Sequence, residues 1–94
     1  MRRDAVLARL KELKPWLAAR GVRRVRLFGS NARDEAGPES DIDLLVELSR
    51  PMGLEFFGIE DELSERLGVK VDLHTERSLH RLVLREALAD AVDA

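Results

Sequence analysis

Apolar residues recur with helical spacing in three segments of the chain, which predicts three main helices. The first covers Arg3–Leu13, where the apolar side chains form one stripe that a surface helix would bury. Pro15 has no backbone N–H, so this helix is expected to kink or restart there. The second helix covers Leu54–Leu67 and is ended by Gly68, and the third covers Ser78–Val92.

Short runs of β-forming residues between these helices predict three strands, over Val22–Phe28, Asp41–Leu48 and Val69–His74. The second strand alternates so that one face is wholly apolar while the other carries acidic residues. A short helix is predicted over Asn31–Ala36, ended by Gly37–Pro38. This order of helices and strands indicates the α/β class.

Composition narrows the picture to one folded domain spanning residues 1–94. The chain is 45% hydrophobic and 36% charged, which supplies both a core and a solvated surface. It has no cysteine and no apolar run near the ~20 residues of a membrane-spanning helix, so the cytoplasm is the expected location. A net charge of -2 argues against direct nucleic-acid binding and gives no reason to expect a membrane partner.

Gly29-Ser30 lies where the first strand turns toward the predicted short helix. Such a turn directs backbone N–H groups outward, and the Ser30 hydroxyl can donate as well, so the pair could cradle a phosphate. A Gly-Ser dipeptide alone is a weak signal, because many ordinary turns contain one. The chain has no Walker A loop, so charge on a phosphate would have to be neutralised by metal and arginine.

Asp41 and Asp43 lie two positions apart on the second strand, so both side chains leave the same face with Cα atoms about 6.5–7 Å apart. Two crowded carboxylates repel each other, and Mg²⁺ relieves that repulsion because it prefers hard oxygen ligands. Taken alone, such a pair is more often the solvent face of a half-buried strand, but Leu45 on the same face indicates a partly covered surface. Asp72 would join them if the third strand pairs beside the second, as a proton acceptor or a shared metal ligand.

The spacing of these features resembles the signature of the DNA polymerase beta-like nucleotidyltransferase superfamily. Gly29-Ser30 is followed by ten intervening residues and then by Asp41-Ile42-Asp43. The longer runs Leu27–Arg33 and Ser40–Val46 are similar to those of its minimal nucleotidyltransferase (MNT) branch, found in prokaryotes. Val71–Leu73 resembles the strand that carries the family's third carboxylate.

This resemblance implies a small mixed β-sheet flanked by helices, in the polymerase beta-like palm fold. It implies ATP as the substrate and Mg²⁺, as two ions, bound by Asp41, Asp43 and Asp72. It further implies an antitoxin that transfers AMP to a tyrosine of an all-helical HEPN toxin. The alternative is an antitoxin that neutralises its partner by binding alone. The short chain leaves no residues for an acceptor-binding domain, which favours an acceptor on a partner protein.

Several other residues allow two interpretations each. Arg33 could contact the triphosphate or form a structural salt bridge with Asp34, Glu35 or a strand carboxylate. The basic residues from Arg20 to Arg33 could form a positive patch or a solvated strand flank. His74 shares a face with Asp72, but neither it nor His80 has the spacing of a paired metal site.

The last helix has a broad apolar surface, which could contact another chain, including a second copy, or lie fully buried on the sheet; its apolar residues are Leu79, Leu82, Val83 and Leu84. Three aromatic residues are expected in the core or at an interface, and these are Trp16, Phe56 and Phe57.

Overall fold

The computed structural model describes residues 2–35, 37 and 41–94. In these residues, three α-helices and four strands follow one another along the chain, with a short 3-10 helix before the last α-helix. Their bounds are α1 Arg3–Ala19, β1 Val22–Phe28, β2 Ile42–Leu48, α2 Glu55–Leu67, β3 Val71–His74, the 3-10 helix Glu76–Ser78, α3 Arg81–Asp90 and β4 Val92–Asp93. No helix in this part of the chain is long and apolar enough to span a bilayer.

The four strands form one sheet in the order β3-β2-β1-β4. β1 is antiparallel to both β2 and β4, whereas β2 and β3 run parallel. A parallel pair needs a long crossover connection, and α2 supplies it between β2 and β3. The prediction of a small mixed β-sheet flanked by helices is therefore confirmed.

One face of the sheet is covered by α1 and α2 and contains the main core. The stripe on α1 is buried at spacings of four, three and four residues, and α2 buries three residues of its own. The apolar faces of the strands complete this core. Its buried residues include Val6, Leu10, Leu13, Leu17, Val25, Leu27, Ile42, Leu44, Val46, Ile59, Leu63, Leu67, Val71 and Leu73.

The opposite face of the sheet is covered only in part. Here α3 packs through Ala87 onto Phe28 and Leu45, which form a second and much smaller buried cluster. The neighbouring polar side chains on this face keep about a third of their surface exposed: Asp43 32%, Asp72 33% and His74 31%. The polar face of β2 and β3 is therefore open to a ligand beside α3.

The predicted break in the first helix needs correction. The helix does not restart at Pro15, because α1 is continuous from Arg3 to Ala19. Leu13 and Leu17, on either side of the proline, are both buried in the main core, and this packing outweighs the one backbone hydrogen bond that proline cannot make.

The short helix predicted over Asn31–Ala36 is wrong for its described part. Residues 31–34 form turns, and Asp34 has a left-handed φ of 58°, which an α-helix cannot continue. The Asp34 carboxylate accepts hydrogen bonds from the backbone N–H of Arg3 (3.3 Å) and from Arg2 (3.2 Å). These bonds also hold the pKa of Asp34 below its usual range. The loop is thus shaped by the start of α1. Ala36, Pro38 and Ser40 lie outside the described residues.

The predicted strands are confirmed, with shifted starts for the second and third: Asp41 precedes β2, and β3 begins at Val71. The last predicted helix is shorter than Ser78–Val92 at both ends: Ser78 belongs to the capped 3-10 helix before it, and Val92 belongs to β4 after it. The edge strand β4 was not predicted. It is two residues long, and its pairing with β1 joins segments far apart in sequence.

Candidate functional site

The parallel pairing of β2 and β3 brings Asp72 beside Asp43. The two residues are direct Cα partners in the strand register, so their side chains leave the same face of the sheet. Asp41 lies two residues before Asp43. From the sequence, Asp72 is expected to join the two aspartates if β3 pairs beside β2 with this face aligned. The structure shows that pairing.

The turn after β1 reaches the same position. Gly29 follows Phe28, the register partner of Asp43, and it has a left-handed φ of 76°. A Cβ atom added to Gly29 would lie only 2.7 Å from Asp43 Oδ2. The backbone conformation favours glycine here, and any larger residue would also force the Asp43 carboxylate to move.

Asn31 links this turn to the carboxylates and was missed from the sequence. The residue is 2% exposed, and its Nδ2 donates a hydrogen bond to the backbone carbonyl of Asp41 at 3.0 Å. This bond fixes the start of β2 against the Gly29 turn. A buried polar side chain usually has a partner, but the sequence gives no indication that Asn31 is buried.

Negative charge accumulates at the carboxylates. Burial raises the pKa of Asp43, and the neighbouring charges of Asp72 and Asp41 raise it further, whereas His74 acts in the opposite direction. His74 Nε2 lies 3.9 Å from Asp43 Oδ1, and the His74 ring packs edge-on against Phe28. Lys70 Nζ lies 3.9 Å from Asp41 Oδ2 and 4.0 Å from Asp72 Oδ1.

These carboxylates fit a Mg²⁺ ion that takes its remaining ligands from a substrate. Over the part of the chain that the structure describes, no three acidic or histidine side chains are arranged to enclose a metal by themselves. Mg²⁺ is typically held by one or two carboxylates together with water and substrate phosphates. The donor set is composed of hard oxygen atoms, and a cation would relieve the repulsion that raises the pKa of Asp43.

A cleft of about 320 Å³ lies between the Gly29 turn and α3. Its walls carry Ser30, Arg33 and Asp43 on one side, and Glu86 and Asp90 from α3 on the other. The two α3 residues were not identified from the sequence, because nothing local connects them with a site more than forty residues earlier.

Arg33 forms ion pairs at the rim of this cleft. Its Nε donates to Glu35 Oε2 at 3.0 Å, and its Nη1 donates to Asp90. The salt-bridge interpretation is confirmed for Glu35, and Asp90 is an added partner. Since Arg33 also lines the cleft, contact with a phosphate stays a prediction.

The remaining basic residues of this region have carboxylate partners too. Arg20 pairs with Glu62, while Arg23, Arg24 and Arg26 all lie within 4.0 Å of Glu47. Arg20, Arg23 and Arg24 are exposed and paired with carboxylates, as the solvated-flank interpretation expected, whereas Arg26 is 8% exposed and does not fit it.

The two histidines and the aromatic residues have separate roles. His80 caps α3 by accepting a hydrogen bond from the Leu82 N–H, which is a structural role. Trp16 stacks beneath Arg66 and Phe56 packs against the main core, but Phe57 is 59% exposed.

Leu82 and Val83 on α3 are 58% and 46% exposed, so the prediction that the apolar surface of α3 is fully buried on the sheet is wrong.

Known proteins resemble this chain over most of its length. The family model described as a nucleotidyltransferase domain matches residues 4–93. A protein of Methanocaldococcus jannaschii that bears an adenylyltransferase name is 40% identical over 84 residues, covering 88% of this chain and 90% of its own length. Protein adenylyltransferase MntA of Thermococcus cleftensis is 38% identical over 73 residues, covering 77% of this chain and 74% of its own length.

Solved structures share the fold. A minimal nucleotidyltransferase structure superposes with a TM-score of 0.82 at 35% identity, covering 98% of this chain and 95% of the other. A toxin–antitoxin complex with AMP-PNP superposes with a TM-score of 0.70 at 19% identity, covering 99% of this chain and 72% of the other. The predicted nucleotidyltransferase fold is thereby confirmed.

Proposed function

The chain belongs to the nucleotidyltransferase domain family, and from this premise we propose that it transfers AMP from ATP to a hydroxyl group of a partner protein. The hydroxyl oxygen bonds to the α-phosphorus, the bond from that phosphorus to the β-phosphate oxygen breaks, and pyrophosphate leaves. The observation that carries the proposal is the meeting of three separate segments at one point: the Gly29 turn, Asp43 on β2 and Asp72 on β3. Relatives of similar length are named protein adenylyltransferases, which supports AMP as the transferred group and a protein as the acceptor.

We assign the residues of the site the following roles in this reaction. Asp41 and Asp43 would hold Mg²⁺, which when bound neutralises charge on the phosphates and polarises the phosphorus that is attacked. Residues 29–34 form turns instead of a helix, so the backbone N–H groups of the turn, together with the Ser30 hydroxyl, would orient the phosphates in the cleft. Asp72, beside Asp43, would accept the proton of the attacking hydroxyl or complete the metal site.

The acceptor that we propose is a tyrosine of an HEPN toxin, which makes this chain an antitoxin. The proposal draws on the toxin–antitoxin complexes that share the fold. It also draws on α3, whose Val83 lines the cleft while the adjacent Leu82 is exposed. A partner that covers these apolar side chains would bring its hydroxyl to the cleft. A second copy of the chain could occupy the same surface.

Transfer of label from ATP tests the reaction. The protein is incubated with α-³²P-ATP, Mg²⁺ and an HEPN toxin from the same organism, and label is expected on the toxin. The double variant Asp41→Asn, Asp43→Asn should leave it unlabelled. Asp61→Asn replaces an exposed aspartate on α2, which packs on the opposite face of the sheet and does not line the cleft, so it serves as the matched control and should label normally. Equal labelling by the double variant would contradict the proposal.

An antitoxin that acts by binding alone is the second candidate, because the exposed apolar residues of α3 could hold a partner without any chemistry. The double variant Asp41→Asn, Asp43→Asn distinguishes neutralisation by binding alone from neutralisation by AMP transfer. If it abolishes labelling yet still restores growth to cells that express the toxin, binding alone accounts for neutralisation.

A further inference from the structure

The cleft between the Gly29 turn and α3 contains more negative than positive charge. Among the described residues that line it are three carboxylates, from Asp43, Glu86 and Asp90, and one cation, Arg33. A triphosphate is strongly anionic, so its affinity for this cleft depends on how freely Arg33 can interact with it.

Arg33 is paired with two carboxylates of the protein at the wall of the cleft. Its Nη1 donates to Asp90, the last residue of α3, and its Nε donates to Glu35. The Arg33 side chain is 44% exposed and that of Asp90 is 25% exposed, so the pair lies at the cleft wall within reach of a ligand. Carboxylate and phosphate oxygens are both favoured acceptors for a guanidinium group.

We infer that Asp90 is a positioning residue that sets the affinity for the nucleotide by competing with its triphosphate for Arg33. This inference rests on the proposed function, because it requires a nucleotide in the cleft. Asp90 occupies Nη1 and Glu35 occupies Nε, so a phosphate that takes the Nη1 donor has to compete with the Asp90 carboxylate. Asp90 thus weakens binding by acting on Arg33.

The inference also connects the nucleotide with α3. The ion pair between Asp90 and Arg33 connects the end of this helix to the Gly29 turn. Apart from it, α3 is anchored by Ala87, its one buried residue among those described. When the triphosphate replaces Asp90 as the partner of Arg33, the end of α3 loses its ion pair with the Gly29 turn. The same helix exposes Leu82 and Val83 beside the cleft.

The test measures dissociation constants for a fluorescent ATP analogue, N-methylanthraniloyl-ATP with Mg²⁺, by anisotropy. Asp90→Asn is expected to tighten binding by up to about fivefold, the range that exposed ion pairs allow. Asp90→Glu, which keeps the charge, should bind as the unmodified protein does. Urea unfolding of each variant verifies that it is folded.

A double-mutant cycle establishes that the effect passes through Arg33. In the Arg33→Met background, Asp90→Asn should no longer change the affinity. Glu86→Gln is the matched control, because it removes a carboxylate from the same wall that has no ion-pair partner among the described residues. Its effect on the affinity should be the same in the unmodified protein and in the Arg33→Met background.

Three results would overturn the inference. Asp90→Asn could leave the affinity unchanged or weaken it, or its gain could persist in full in the Arg33→Met background, which would indicate general charge repulsion. If the unmodified protein does not bind the analogue, the proposed function fails and this inference fails with it. If it binds but the Asp90 variants do not behave as described, only the inference fails.

Discussion

At the scale of single residues, Gly29 is the position that joins the phosphate turn to the carboxylates. Its φ of 76° is shared by Gly68, which ends α2, but the surroundings of the two residues differ. A Cβ at Gly29 would meet Asp43 Oδ2 at 2.7 Å, whereas a Cβ at Gly68 would meet nothing within 4 Å. A substitution at Gly68 therefore measures the free-energy cost of the backbone conformation alone, whereas one at Gly29 also includes the clash with Asp43.

Gly68→Ala should lower the free energy of unfolding by about 1–2 kcal/mol, the usual cost of a left-handed alanine, without impairing label transfer. Gly29→Ala should cost at least as much and also abolish transfer, because Asp43 has to move. Urea denaturation and the labelling assay measure the two effects. Normal transfer by Gly29→Ala would show that the turn does not constrain the site.

Asp43 gives a second prediction at this scale, for the protein without metal. Burial and the neighbouring carboxylates raise its pKa in the folded state, so the protonated form is favoured by folding. The stability that Asp43 contributes is complete below its ordinary pKa of about 3.9 and is lost as the pH rises through the raised value. Asp43→Asn should therefore stabilise the protein at pH 7.

Urea unfolding in EDTA between pH 4 and pH 8 measures this gain, which should shrink toward the acidic end. Asp61→Asn, with no ion-pair partner among the described residues, is the control and should show no comparable trend. A destabilised Asp43→Asn protein at pH 7 would mean that the carboxylate is stabilised in its charged form by contacts other than those described.

At the scale of elements, α3 is held less firmly than α2. Three residues of α2 are buried in the main core, namely Ile59, Leu63 and Leu67, whereas α3 buries Ala87 alone among its described residues. Local stability follows the apolar surface that an element buries. The helix that forms one wall of the cleft is thus the one that can most easily move.

Hydrogen–deuterium exchange should therefore be faster in α3 than in α2, with α1 the slowest of the three helices. Peptides covering residues 81–90 and 55–67 give the comparison. Adding Mg²⁺ and a non-hydrolysable ATP analogue should change exchange in α3 more than in α2, because only α3 lines the cleft. Equal protection of the two helices would contradict this ordering.

At the scale of the whole molecule, a ligand that binds only the folded state must raise its stability. At a concentration one hundred times the dissociation constant, Mg²⁺ with a non-hydrolysable ATP analogue should add about 2.7 kcal/mol to the free energy of unfolding. Thermal denaturation with and without the ligand measures this. The variant Asp41→Asn, Asp43→Asn should gain much less, and an equal gain would place the nucleotide elsewhere on the protein.

The sequence by itself determined the main elements and the family, because both are recognised from local pattern. A run of β-forming residues identified the strand Val22–Phe28, and alternation over residues 41–48 identified the next one, because side chains that alternate between core and solvent impose a period of two. The spacing of Gly29-Ser30 and the aspartates identified the family. Their roles in catalysis stay predictions until they are measured.

Only the tertiary structure decided what depends on contacts between distant residues. Asp34 contacts the start of α1 and so turns a predicted helix into a loop, and β4 exists because β1 offers it an edge. Arg33 pairs with Asp90 across 57 positions. Local propensities amount to fractions of a kcal/mol per residue, so packing and ion pairs between segments override them, and no pattern along the chain records those pairs.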